Sequence, residues 1–361
     1  MAAIRAFTAS DIPGAAALHR EVFKTGTDGA EALDGYRAYF TRVFLENPSS
    51  DPSLPSLVHE DRDGRIVGFL GVVPRRMTND GRRVLAAVSS QFVVAPSVHA
   101  GLVALRLASA FLEGPQDLSI SDEANDTSRR IWEGLGGSTA LWHSLYWTRP
   151  LRPARFAVSL VRDRRGLAPF ARVAAPFAPL ADALAARAVT RGRSGDDDDD
   201  VPETLTSKTM VAALPRCAPA VSLRVDYDER TLAWLLTLAA RRKRTGALRA
   251  AAVRDHDRVV GWYLYHLDAD RTATVLQVAA EPDRSGYVLD RLFARAFSDG
   301  AIAVSGRVDA RDVPSLTDRH CVLHRRGPWV LVHARHPDLL RPFATGEASF
   351  TRFDGEWCLG F

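Results

Sequence analysis

The strongest constraint on the fold is an internal repeat. Residues 65–72 read RIVGFLGV and residues 258–265 read RVVGWYLY. Each run follows an Asp-rich turn, DRDG at 61–64 and DHD at 255–257. Each has the β-branched and aromatic content of a strand leaving a hairpin. The likeness continues downstream, QFVVAPSVHAGLVALRLASAFLEG (91–114) against LQVAAEPDRSGYVLDRLFARAFSDG (276–300). Pro96 pairs with Pro282, Gly101 with Gly286, Leu107 with Leu292, Phe111 with Phe297 and Gly114 with Gly300. Each closing glycine leads to a short strand, LSIS (118–121) or IAVS (302–305). The same order of strand, proline, helix, glycine and strand, met twice, implies a duplicated α/β unit. Two copies are too few for a solenoid.

A chain of 361 residues has room for two such domains. The repeat places them at 1–150 and 206–361, with a linker at 151–205. The linker begins rich in Ala, Arg and Pro, and Leu180, Leu184 and Ala188 predict a short helix after Pro179. It ends in GRSGDDDDDVPET, whose repelling carboxylates cannot bury a core and read as mobile chain rather than a metal site.

Composition narrows the function classes. Hydrophobic residues make up 46% and charged residues 25%, ordinary for a soluble globular protein. No apolar run is long enough to span a membrane, and no signal peptide is apparent at the start. The three cysteines, Cys217, Cys321 and Cys358, are far apart, which argues against a disulfide framework or zinc site and fits a reducing cytoplasm. The net charge of +4 is dispersed, so nucleic acid is not an expected partner.

The first half carries the more informative copy. AIRAF (3–7) is a strand, and Ser10 or Asp11 caps a helix with Pro13 in its first turn. Residues 35–47 form a second helix with Tyr39, Val43 and Phe44 inward. Residues 55–60 and 65–74 make a hairpin, 82–95 a long strand, and VAPSVHAGLVALRL (94–107) a turn into a helix. LSIS follows, then a helix over 121–137 and a last strand over 141–150. Small residues at Ala100, Gly101 and Ala104 let a diphosphate approach the free N–H groups of the helix start. His99 adds a donor there.

This order, and the residues at two places in it, resemble the GNAT family of acyl-CoA-dependent N-acyltransferases. The family's pyrophosphate loop reads roughly V-x-P-x-x-R-G-x-G-x-G/A. Val94, Pro96, Val103 and Ala104 fit it, with His99 for the arginine, Ala100 for the first glycine and Leu102 for the second. A second family pattern, N-x-x-A-x-x-L-Y-x-x-x-G-F, is met by Asn125, Ser128, Ile131, Trp132, Gly136 and Gly137. The resemblance covers about residues 3–150 and, more weakly, about 220–361. It implies a mixed α/β fold of two tandem GNAT-like domains, the second degenerate.

The resemblance also implies chemistry. Acetyl-CoA or a longer acyl-CoA would be held by Val93, Val94, His99, Ala100, Gly101, Leu102, Val103, Ala104, Asn125, Ser128 and Trp132. The backbone N–H of Val93 or Val94 would face the oxyanion. The acceptor would be a small-molecule amine or amino sugar, whose proton must pass to a base. Asp122 and Glu123 are the candidates, with Glu60 more distant. Trp132 stands where the family has an acidic tyrosine, so water or Tyr146 would protonate the thiolate. Ser89, Gln91 and His143 are candidate acceptor-site residues. No metal is expected, and a second copy of the chain is an optional partner.

The second half keeps Pro282, Arg284, Ser285 and Gly286 but adds Asp283 and lacks the Asn-x-x-Ser helix pattern. Its closing stretch, FTRFDGEWCLGF (350–361), reads as that domain's last strand. Two other function classes remain open: a silent ligand-binding module on this fold, and a Fem-type aminoacyltransferase, which the modest basic charge disfavours.

Overall fold

The computed structural model describes residues 3–23, 30–97, 99–162, 182, 203–217, 220–242 and 246–360. Along the chain run β1 (Ala3–Ala6), α1 (Ile12–Phe23), α2 (Ala30–Phe40), β2 (Leu57–Glu60), β3 (Ile66–Asn79), β4 (Arg82–Val94), α3 (Ala100–Leu112), β5 (Leu118–Ala124), α4 (Asp126–Gly134), β6 (Ser138–Thr139), β7 (Tyr146–Pro150) and α5 (Pro153–Arg162). There follow β8 (Glu203–Thr204), α6 (Ser207–Cys217), β9 (Leu223–Val225), α7 (Glu229–Arg241), β10 (Leu248–Asp255), β11 (Arg258–Leu267), β12 (Thr272–Ala280), α8 (Ser285–Ser298) and β13 (Ala303–Arg307). The chain closes with α9 (Val313–Asp318), β14 (Val322–His324), β15 (Trp329–Ala334), α10 (Arg341–Thr345), β16 (Ala348–Ser349) and α11 (Glu356–Leu359). The helix expected after Pro179, apart from Asp182, and the Asp-rich linker lie outside the described residues.

The elements build two mixed sheets, ordered β1-β2-β3-β4-β5-β15-β6, with β9 joining β3 to β16, and β14-β7-β13-β12-β11-β10-β8. The duplication is visible in both. β3 and β4 are antiparallel, and β4 then pairs parallel with β5 over Ala86–Leu118, Ala87–Ser119 and Val88–Ile120. β11 and β12 are likewise antiparallel, and β12 pairs parallel with β13 over Thr272–Ala303, Ala273–Val304 and Thr274–Ser305. The repeated glycine of the hairpin explains close helix packing. A Cβ on Gly68 would lie 2.7 Å from Leu107 and 3.0 Å from Val103 of α3, and one on Gly261 2.6 Å from Val288 of α8. Leu107 and Leu292 are buried as the repeat requires. The matched phenylalanines differ: Phe111 is in the core, whereas Phe297 is exposed beneath the Arg152 guanidinium at 4.0 Å.

The chain is not divided by a single cut. One compact unit is Met1–Ser144 with Pro219–Ala239 and Gly327–Phe361; the other is Leu145–Ala218 with Ala240–Arg326. Each sheet borrows a strand. β7, expected to close the first half, pairs antiparallel with β13 from Ala303–Pro150 to Arg307–Tyr146 and also with β14. β15, from beyond the second repeat, pairs with β5 and β6 of the first sheet. The stretch read as the second domain's last strand, 350–361, belongs to the first unit and has no strand among its described residues: the short β16 just before it pairs with β9, and residues 356–359 are helical.

In the first unit Leu70, Val72, Leu107, Phe111, Trp132 and Leu331 fill one side of the sheet. On the other, Phe7, Phe40, Phe44 and Phe69 meet edge-on or tilted at ring distances of 5.1–5.7 Å. The alternation Phe69/Leu70 delivers one residue to each layer. No helix among the described residues is long and apolar enough to cross a membrane.

Asp11 ties β1 to the start of α1. Its carboxylate accepts two bonds from Arg5, at 2.8 and 2.7 Å, and one from the Thr8 N–H at 2.8 Å. The Arg5 guanidinium, then the Thr8 groups, hold the carboxyl down to about 2 against the opposing effect of burial. A depressed folded-state pKa stabilises above the ordinary value of 3.8, and the contribution vanishes as pH falls through about 2. Asp11→Asn is expected to cost about 1–2 kcal/mol at pH 7, discounted for the half-exposed arginine. Urea titrations of both proteins should converge between pH 4 and 2.

Candidate active site

The first unit's sheet opens where β4 and β5 stop pairing. After the Val88–Ile120 rung both strands continue, β4 to Val94 and β5 to Ala124. A bulge in β4 accompanies the parting. Gly71 faces Ser90 and Phe69 faces Val93, so Gln91 and Phe92 together oppose Leu70. Gln91 has φ +53°, a left-handed conformation that disfavours side chains. Its own side chain is fixed: Gln91 Oε1 lies 2.7 Å from His19 Nε2, and His19 Nδ1 lies 2.9 Å from Tyr36 Oη. The amide oxygen only accepts, so His19 Nε2 donates to it. β12 repeats the bulge beside Gln277, which accepts from Trp262 Nε1 at 2.9 Å. In both copies the glutamine precedes the shared proline by five residues.

The parted strands hold α11. The Gln91 N–H donates to Glu356 Oε1 at 2.7 Å, and the Glu356 N–H donates to Asp122 Oδ1 at 2.6 Å. Gly355 makes this fit possible, because a Cβ there would lie 2.1 Å from Asp122 Oδ2. The preceding residues are anchored in the core. Asp354 accepts from Tyr227 Oη and from the Thr351 N–H and hydroxyl at 2.8 and 2.7 Å. Arg75, fully buried, donates Nε to the Asp354 carbonyl at 3.1 Å and lies 5.3 Å from the Trp234 ring centre. Burial lowers the Arg75 pKa and raises that of Asp354, each opposed by the other's charge. Beyond Glu356, the Leu359 carbonyl accepts from Tyr39 Oη at 2.8 Å.

The start of α3 is the second component. His99 stands at the N-cap, exposed, with no side-chain hydrogen bond to the turn. Gly101 is exposed, and a Cβ there would meet nothing within 4 Å. Leu102 is exposed, and Ala100, Val103 and Ala104 are partly so. The corresponding turn of α8 is covered. A Cβ on Gly286 would lie 2.6 Å from Arg319 Nη2, and Arg319 is clamped to Asp290 at 2.8 and 2.6 Å. Burial and Asp309 push the nearby Asp312 carboxyl up to about 6, against a hydrogen bond from Ser285.

The other sequence candidates are distributed as follows. Val93 is buried and Val94 partly so, paired with Phe69 and Gly68. Ser89 is buried one residue before Ser90, and the bulge at Gln91 ends the simple alternation that put Ser89 and Gln91 on one face. Asp122 and Glu123 lie within β5, not in a helix cap, because the strand extends to Ala124. Asn125 caps α4, accepting from the Thr127 and Ser128 N–H groups at 3.0 and 2.9 Å. Trp132 is a core residue, 5.9 Å from the Phe111 ring. His143 is buried, with Nε2 3.0 Å from the Ala348 carbonyl oxygen. Tyr146 is buried on β7 of the second unit, stacked 6.3 Å from His324. Glu60 pairs with Arg5 at 2.8 Å. The sequence reading missed Glu356 and His19.

No protein-family model matches the sequence, and no curated protein matches it. Solved structures do match by fold. One from Enterococcus faecalis V583, described as a conserved protein of unknown function and probable N-acyltransferase, superposes with a TM-score of 0.56 at 9% identity over 92% of this chain and 72% of that one. A GCN5-related N-acetyltransferase from Kribbella flavida gives 0.55 at 15% identity over 97% and 75%. Another from Anabaena variabilis ATCC 29413 gives 0.53 at 13% over 92% and 72%. The fold is that of the GCN5-related N-acetyltransferases, and the two sheets are consistent with a tandem arrangement.

The packing around Asp122 gives a direct test. Gly355→Ala forces the added methyl into the buried carboxylate, an overpacking that costs about 1–3 kcal/mol. Denaturant unfolding of the variant should show that loss, with Asp122→Gly in the same chain restoring part of it.

Proposed function

We propose that the protein is an acyl-CoA-dependent N-acyltransferase, transferring an acyl group, acetyl in the simplest case, from a coenzyme A thioester to a primary amine of a small molecule or amino sugar in the cytoplasm. The observation that carries the reading is the Gln91 N–H, which stands at a bulge between parted parallel strands and already donates to a carboxylate oxygen. A backbone donor that accommodates negative oxygen is what the tetrahedral intermediate of acyl transfer needs. It lies two residues before the Val93 expected from the resemblance.

The start of α3 supports the same reading. Its first turn carries the positive end of the helix dipole, which suits a diphosphate, although the Ala100, Leu102 and Val103 N–H groups expected to be free already donate to the Ser97 and His99 carbonyls. The contrast between Gly101, open to approach, and Gly286, under Arg319, supports a cofactor on the first unit rather than the second. A thiol is a good leaving group, so burial of Trp132 in place of a tyrosine does not forbid the reaction. The carboxylate already seated on the Gln91 N–H favours one alternative, a silent binding module.

Calorimetry with acetyl-CoA and desulfo-CoA tests the reading. Binding of both is expected, and thiol release with a panel of primary amines separates enzyme from silent module. Gly101→Leu should weaken both ligands at least tenfold. The substitution improves helix propensity by about 0.8–1 kcal/mol, so loss of binding will not reflect loss of fold. Absence of binding at millimolar ligand would overturn the proposal.

A further inference from the structure

Two unused hydroxyls stand where the strands of the first unit begin to part. β4 and β5 pair in register up to Val88–Ile120, so Ser89 and Ser121 are the next residues to face each other as the strands separate. Ser89 pairs with Val72 on β3, and Ser121 with Leu331 on β15. Both side chains therefore lie on the face that carries Val72 and Leu331 and, from α3 and α4, Leu107, Phe111 and Trp132. Asp122, next along β5, turns to the other face, where it holds the Glu356 N–H. The corner between the serines is thus separate from α11.

Both serines are more than nine-tenths buried, at 4% and 6% exposure. Neither hydroxyl has a hydrogen-bond partner among the described residues, and neither oxygen is sealed off, whereas the unpaired Ser90 hydroxyl is. Leaving a buried hydroxyl unpaired is unfavourable, so the corner suits a polar group that the protein itself does not supply.

The second unit fills the same corner. Its last parallel rung is Thr274–Ser305, which makes Val275 the counterpart of Ser89 and Gly306 that of Ser121. Gln277 follows that rung by three residues, as Gln91 follows Val88. Here the corner is apolar: Val275 and Trp147 belong to one buried cluster, and a Cβ on Gly306 would lie 2.8 Å from the Trp147 ring. One copy stoppers the corner with an indole, and the other lines it with two hydroxyls.

We infer that Ser89 and Ser121 hold the far end of the acyl group, and that the preferred donor is a short acyl-CoA bearing a hydroxyl. This inference rests on the acyl-transfer reading above. A thioester held at the start of α3 enters at the carboxyl ends of β4 and β5 and runs toward the rung where they join, so its acyl end arrives at the two serines. A ligand hydroxyl both donates and accepts, and so satisfies one serine with each function. A plain alkyl end leaves both unpaired. A carboxylate end would accept from both, but it would come beside Asp122 and Glu123, the next two residues of β5. Ser89 then serves the acyl donor rather than the acceptor.

The test uses the full chain with propionyl-CoA, 3-hydroxypropionyl-CoA, malonyl-CoA and desulfo-CoA, read by calorimetry. 3-Hydroxypropionyl-CoA is expected to bind about tenfold or more tightly than propionyl-CoA, because the missing hydroxyl strands two buried partners. Ser89→Ala combined with Ser121→Ala should bring that ratio to about one and leave desulfo-CoA affinity unchanged. Its thermal unfolding temperature should be unchanged or higher, since no hydrogen bond within the protein is lost. Ser89→Val alone, which copies Val275, should shift the preference toward propionyl-CoA. Equal binding of the two acyl donors by the wild type, a preference that survives in the double variant, or tightest binding of malonyl-CoA would overturn the inference and leave the acyl-transfer reading in place. A double variant that melts lower with its ratio unchanged would mean that the hydroxyls only hold structural water, and would overturn it equally. Failure of the wild-type chain to bind any of these ligands, desulfo-CoA included, would overturn the acyl-transfer reading and this inference with it.

Discussion

One extra residue in β4 decides the character of the first unit. The bulge at Gln91 accompanies the point where two parallel strands cease to share a ladder, and it leaves a backbone N–H directed into the opening. A residue at φ +53° is held against its conformational preference, so something must fix it. The side chain does this through His19, which is itself bonded to Tyr36. The phenylalanine layer, the interrupted ladder and α11 all meet at this place. The site is therefore a property of backbone geometry first and of side chains second.

The two units show how one duplicated design diverges. Both keep the bulge, the glutamine, the short parallel ladder and the glycine under the following helix. They differ at the helix start, where one offers an open glycine and the other is covered by a guanidinium clamped to Asp290. The Arg319 guanidinium fills the space beside Gly286 through which a ligand would approach the backbone of that turn. Divergence here lies in what covers the turn, while the sheet beneath it is kept.

Much of the fold was legible because it is local. The hairpin of β2 and β3, the length of β4, and the inward Tyr39, Val43 and Phe44 follow from turn residues and period alone. Borders were less legible. β5 was read three residues short because Asp122 and Glu123 resemble a helix start, yet burial between sheet neighbours keeps them extended. The exchange of β7 and β15 has no local signature, since a strand's partner is chosen over long range. Glu356 was hidden for a related reason: its meaning comes from Gln91 and Asp122, more than 230 residues earlier. The Gly355–Glu356 pair and the glutamine shared by both copies were the available signals.

The exchanged strands have a consequence for how the chain comes into being. While the protein emerges from the ribosome, β5 of the first sheet has no partner on its outer side until residue 334 has been made. The first unit therefore cannot complete its fold by the time its own repeat is synthesised. An unpaired strand edge stays open through some two hundred residues of elongation, which at about 5–20 residues per second lasts on the order of 10–40 seconds. Producing the halves as separate proteins would make that transient exposure permanent.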